Sequence, residues 1–137
     1  MFATPVKTFL HDVREVDKSN LLQTLLDYPD NCRKAFTLAD DLTIPGSVML
    51  PSGASTHYGK PKGVVFTGMG GSGIAGAYLV QLGAQHVDPP LLQVTGQPLP
   101  KCVDHRWLAV NISYSGNTHE TLQAFDEALS RGAMILN

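Results

Sequence analysis

Cysteine is scarce in this 137-residue chain: there are two, Cys32 and Cys102, far apart and outside any Cys-x-x-Cys pair. That pattern excludes a disulfide scaffold, offers no structural zinc site, and favours a cytoplasmic setting. Charge is also sparse, at 16% of residues, and sums to −2. A general nucleic-acid binder carries a basic surplus, so no nucleic-acid partner is expected. No apolar run approaches the roughly 18 residues that span a membrane, so no membrane partner is expected either. The first ten residues lack a charged segment followed by an apolar one, and no signal peptide is read there. With 43% hydrophobic residues the chain has enough apolar material for a packed core.

The chain changes character near residue 62. Before it, Leu21, Leu22, Leu25 and Leu26 recur at the spacing of one helix face, with Ser19 or Asn20 as N-cap and Tyr28-Pro29 as the stop. A second helix is predicted over Asp30 to Asp41, with Cys32, Ala35, Phe36 and Ala39 on its apolar side. Residues 45–62 read as loop, punctuated by Pro45-Gly46, Pro51-Ser-Gly53 and Gly59-Lys-Pro61.

After Lys62 strands and helices alternate. Strands are predicted at 64–67, 91–94, 107–112 and 133–136, and helices at 72–82 and 118–130, with Gly132 closing the second helix. Such alternation implies a parallel sheet covered on both faces, an α/β three-layer αβα arrangement, with ligands bound where strands end and helices begin. Residues 1–62 are taken as a helical lead-in and loop, and 63–137 as the α/β domain. A buried parallel strand normally runs on into a crossover, so this domain is expected to be incomplete at its C-terminus.

Two strand-to-helix loops carry the chemistry. The first is Gly68-Met-Gly-Gly-Ser-Gly-Ile-Ala-Gly76, whose glycines permit close backbone approach and whose helix-start amides, with the Ser72 hydroxyl, form an anion site. The second, Ser113-Tyr-Ser-Gly-Asn-Thr118, offers the hydroxyls of Ser113, Ser115 and Thr118 beside another set of unpaired helix N–H groups. No Lys or Arg occurs from Gly63 to Pro100 or from Trp107 to Ser130. A phosphate enclosed by these loops is therefore held by neutral dipoles and hydroxyls. Taken singly, the loops also read as a tight helix–sheet turn and a plain N-cap.

Other readings of the first loop fare worse. Gly68-x-Gly70-x-x-Gly73 fits the dinucleotide fingerprint, but the acidic residue wanted about 20 positions on is Asp88, which precedes Pro89-Pro90 and its strand. The Gly-Lys-Ser/Thr of a P-loop is absent, and Gly70-Gly-Ser72-Gly-Ile74 breaks the nucleophile-elbow pattern at its last position. A dinucleotide-dependent oxidoreductase remains a weaker candidate that titration with NADH would settle.

Together the two loops resemble those of the sugar isomerase (SIS) domain, and within it the bifunctional phosphoglucose/phosphomannose isomerases. The likeness is strong over 63–137 and only general upstream. It implies a flavodoxin-like SIS fold, a sugar phosphate as ligand, no cofactor, and a homodimer in the full-length form. It implies that Gly70, Gly71, Ser72, Ser113, Ser115 and Thr118 bind the sugar phosphate. Two positions depart from the family pattern: Ala77 stands where Asp is common and His119 where Glu is common.

Aldose–ketose isomerisation requires ring opening, a proton moved between C2 and C1, and stabilisation of the enediolate between them. In the proteins resembled, the Arg, Glu and His concerned, the His coming across a dimer, lie beyond the position matching Asn137. No catalytic residue is assigned in this chain. The alternative function is a non-catalytic SIS module that senses phosphosugars. Glu120 is read as a capping-box partner of Asn117, His119 as a solvated first-turn residue, and His11, His57, His86 and His105 as surface or loop residues. Asn111-Ile-Ser113 matches a glycosylation sequon but spans a strand end. Leu122, Phe125 and Leu129 are expected to face the core, and Trp107 to pack at a strand start.

Overall fold

The structure, a computed structural model, describes residues 13, 15–50, 52–96 and 98–137. The readings of the first ten residues, of His11 and of Pro51 lie outside them. Contacts divide the chain into two units, Met1–Thr43 and Ile44–Asn137.

In the first unit, helix α1 spans Leu21–Leu26 and α2 spans Tyr28–Asp40. Asn20 sits at the N-cap of α1, but neither its side chain nor that of Ser19 caps the helix. The capping group is Asp17, whose two carboxylate oxygens accept from Leu21 N–H and Leu22 N–H, each at 2.8 Å. These bonds hold the Asp17 carboxyl below its usual value. Pro29 does not stop a helix; it lies in the first turn of α2, where its missing N–H costs nothing. The predicted apolar side of α2 is present as a face, yet no residue of α1 or α2 is buried and Phe36 is 77% exposed.

The second unit opens with two elements that the sequence reading left as loop. β1 (Ser47–Met49) and β2 (Ser55–His57) form an antiparallel hairpin. Its turn is closed by Leu50 N–H to Ala54 O (2.7 Å), with Gly53 at φ 83°. Strands of three residues with one buried side chain, Thr56, carry too little alternation to be legible.

The α/β pattern then follows as predicted. β3 (Gly63–Thr67), α3 (Gly71–Gly83), β4 (Leu91–Val94), β5 (Trp107–Asn111), α4 (His119–Ser130) and β6 (Met134–Leu136) build a parallel four-stranded sheet in the order β4-β3-β5-β6. Side-chain alternation sorts the helices to opposite faces. Val65 and Ala109 join Trp107, Ala124, Ala128 and Ala133 in the core on the α4 side. Phe66, one residue on, faces α3, where a Cβ at Gly76 would come within 2.9 Å of it. Trp107 is buried as expected, its ring lying over Gly63, its register partner.

The buried positions of α4 are Thr121, Ala124 and Ala128, not the expected leucine set. Leu122 is exposed, and Phe125 and Leu129 are half-buried. Small residues at the contact let this helix lie close to the sheet, leaving its larger side chains at the margins.

The connection from β4 to β5 is anchored from α4. Arg131 donates to the carbonyls of Pro100 (2.7 Å), Val103 and Leu99 (both 3.1 Å) and pairs with Glu127, whose other oxygen accepts from Leu99 N–H at 2.8 Å. Asp104 then turns the chain into β5. Hydrogen bonds from the Arg106 side chain, and next from its main-chain N–H, lower the Asp104 pKa from 3.8 to about 2. A folded-state value below the unfolded one stabilises fully above the unfolded pKa and is lost as pH falls through the folded one. The stability gap between the native chain and Asp104→Asn is therefore expected to be constant at neutral pH and to close as acid titration approaches pH 2. Thermal unfolding at stepped pH measures it.

Candidate functional site

The sheet topology locates the site before any side chain is considered. The crossover β3-α3-β4 leads to one side of the sheet and β5-α4-β6 to the other. The neighbouring strands β3 and β5 thus flank a topological switch point, where two connections diverge and leave a crevice at the strand C-termini. Both Gly- and Ser-rich loops start there. Their roots are tied together: Ile112 N–H donates to Thr67 O at 2.8 Å, and the Thr67 hydroxyl donates to Asn111 Oδ1 at 2.6 Å. Thr67 and Asn111 are buried and paired in register, so this bond locks the ends of the two strands that carry the loops.

The glycines of the first loop differ in purpose. A Cβ on Gly68 would lie 2.8 Å from Ile112 O, 3.0 Å from Ser72 C and 3.1 Å from Gly73 N, all main-chain atoms. Gly68 is thus what allows the two loops to meet. Gly70, the N-cap of α3, adopts φ 57° and ψ −126°, a conformation that strains any residue with a side chain. Gly71 has neither constraint: its φ is ordinary for a helix and, among the described residues, nothing lies within 4 Å of a Cβ built there. Packing gives no reason for a glycine at that position, and the missing Cβ leaves open space beside the helix start.

The second loop wraps onto the first. Tyr114 N–H donates to Ser72 Oγ at 3.3 Å. Gly116 N–H donates to Ser113 Oγ (3.0 Å), Asn117 N–H to Ser115 Oγ (3.4 Å), and the Ser115 and Thr118 hydroxyls pair at 3.1 Å. Gly116 permits the turn with φ 66°. A hydroxyl that accepts from an amide keeps its own proton free to donate. Ser72 and Ser113 therefore each keep a hydroxyl proton available to donate, as does one member of the Ser115–Thr118 pair. First-turn N–H groups of α3 and α4 have no intrahelical acceptor and add to this set.

A cleft of about 490 Å³ lies between the loops, lined by Met69, Gly71, Ser72, Tyr114, Ser115 and Thr118. Four of the residues singled out from sequence thus share one lining. Gly70 and Ser113 are not part of that lining; they shape the loops, Gly70 through its φ of 57° and Ser113 by accepting from Gly116 N–H. Met69 and Tyr114 were not singled out; their only signal was their place inside the two motifs. Thr118, not Asn117, is the N-cap of α4, which moves Glu120 to the second helical position and dissolves the expected capping box. Among the described residues no Lys or Arg lines the cleft, and the donors there are neutral dipoles at two helix starts. Such a site suits an anion of tetrahedral shape.

Among the described residues no cluster of His, Cys, Asp and Glu could hold a metal ion, and no helix is long and apolar enough to cross a membrane.

The chain is similar to curated bifunctional phosphoglucose/phosphomannose isomerases. It is 49% identical to that of Aquifex aeolicus over 72 residues, which are 52% of this chain and 22% of the relative. It is 39% identical to that of Thermoplasma volcanium over 81 residues, 59% of this chain and 26% of the relative. The protein of Caldicellulosiruptor bescii aligns over 116 residues at 28% identity, 85% of this chain and 31% of the relative. The chain thus spans between a fifth and a third of the length of these relatives. No family model matches it, and no solved structure does.

Proposed function

We propose that the cleft binds the phosphate of a sugar phosphate and that residues 63–137 serve as the phosphosugar-binding part of an aldose–ketose isomerase. The reaction is interconversion of glucose 6-phosphate or mannose 6-phosphate with fructose 6-phosphate. The observation that carries this reading is the convergence of two hydroxyl-bearing helix starts on one cleft at the switch point. The names of the partial relatives support the choice of substrate. Gly70, Gly71, Ser72, Ser113, Ser115 and Thr118 supply or shape the phosphate donors, and the acid–base groups come from outside this chain. A cytoplasmic homodimer without cofactor is part of the same reading.

A cleft that, among the described residues, is lined by no carboxylate, imidazole or cation serves a non-catalytic phosphosugar sensor equally well. Turnover separates the two readings: a full-length protein that binds the ligand and isomerises nothing is the sensor.

Calorimetric titration with glucose 6-phosphate, fructose 6-phosphate and mannose 6-phosphate tests the site. Ser72→Ala and Ser115→Ala are each expected to weaken binding about tenfold, the worth of one hydrogen bond to a charged group. Gly71→Ala is expected to fold at least as stably, since a Cβ there meets nothing, while blocking the ligand. Unchanged affinity in all three variants removes the site.

A further inference from the structure

One feature of the cleft is unused by a phosphate alone. The Tyr114 side chain is fully exposed, at 102%, although its own N–H is fixed to Ser72 Oγ at the junction of the loops. Met69, 36% exposed, lines the cleft from the first loop. Gly71, Ser72, Ser115 and Thr118 contribute amides and hydroxyls to the lining, and Met69 and Tyr114 add a thioether and an aromatic ring. An inorganic anion needs the amides and hydroxyls and gains nothing from the thioether or the ring.

We propose that Tyr114 and Met69 are specificity residues that pack against the carbon skeleton of an organic phosphate monoester. The proposal rests on the phosphate reading above and adds a selectivity to it. A flat aromatic ring offers a large apolar face to the C–H groups of a sugar while its hydroxyls stay in water. A flexible thioether adapts to irregular apolar contours. The Tyr114 amide bond to Ser72 matters here, because it holds the Tyr114 main chain against the same donor set that grips the phosphate, and Tyr114 lines the cleft. Selection is then for phosphate and carbon together, so that free phosphate competes poorly.

The experiment is calorimetric titration of the 137-residue chain with glucose 6-phosphate and, separately, with inorganic phosphate. The native chain is expected to prefer the sugar phosphate about tenfold, and Tyr114→Ala to abolish most of that preference by weakening glucose 6-phosphate alone. Tyr114→Phe retains the ring and is expected to retain the preference. The ring is wholly exposed, so these variants keep the fold. Equal weakening of both ligands by Tyr114→Ala, or an unaltered ratio, overturns the proposal while leaving the phosphate site standing. A native chain that binds neither ligand overturns the phosphate reading and this one with it.

Discussion

Replacing Gly68 by Ala is expected to abolish sugar-phosphate binding and to destabilise the α/β unit by about 2–3 kcal/mol, the scale of overpacking in a rigid setting. The added methyl would stand 2.8 Å from Ile112 O and 3.0 and 3.1 Å from main-chain atoms of Ser72 and Gly73. None of these is the free end of a side chain. Ile112 opens the second loop and is held by Thr67 O at 2.8 Å, while Ser72 and Gly73 belong to the first turn of α3. Relief therefore requires that the two loops separate, which pulls Tyr114 N–H off Ser72 and opens the donor set. Urea unfolding reads the stability loss and titration reads the binding loss. The contrast with Gly71→Ala is diagnostic, because that methyl meets no protein atom. If Gly68→Ala bound ligand normally, close approach of the loops would not be what builds the site.

Arg131→Ala carries the other large expected effect, a loss of about 2–3 kcal/mol. The guanidinium satisfies three carbonyls of the β4–β5 connection and neutralises Glu127, and both side chains are only 25% exposed. Truncation strands these acceptors and leaves a half-buried carboxylate without its partner. The segment concerned contributes Leu99 and Val103 to the core, at 3% and 1% exposure, so its release loosens the sheet beneath as well. Arg131→Lys is expected to recover only part of the loss, since one ammonium cannot reproduce a planar fork aimed at four oxygens. Thermal and urea unfolding of the three proteins measure this. Phosphate affinity of the folded Arg131→Ala protein should change little, because the fork lies on the connection and not on the cleft.

Elements between 63 and 137 were legible because their signals are local. Val64-Val65-Phe66 and Leu91-Leu92 are short apolar runs ended by glycine or proline-bearing turns, and Gly132, at φ 69°, closes α4 where a positive φ was needed. The hairpin at 47–57 was not legible, since its stability comes from contacts across the turn rather than from its own pattern. The cap of α1 was missed for a related reason. Asp17 bonds amides four and five residues away, beyond the spacing at which an N-cap is usually sought. The buried stripe of α4 shifted from leucines to Thr121, Ala124 and Ala128 because the closeness of helix and sheet is set by the partner surface.

The sequence by itself determined that two glycine- and hydroxyl-rich loops exist, that each joins a strand to a helix, and that neither contains a cation. Glycine conformations, hydroxyl positions and helix starts are short-range properties, readable one segment at a time. Only the tertiary structure decided that the loops face one cleft. That depends on β3 and β5 being neighbours with diverging connections, which no local pattern encodes. The same pairing brought Tyr114 and Met69 into one lining and joined Thr67 to Asn111, while the packing of α4 turned the Arg131 side chain toward a segment about thirty residues earlier in the chain. Local chemistry supplied the donors; strand order, a long-range outcome of packing, aimed them at a common point.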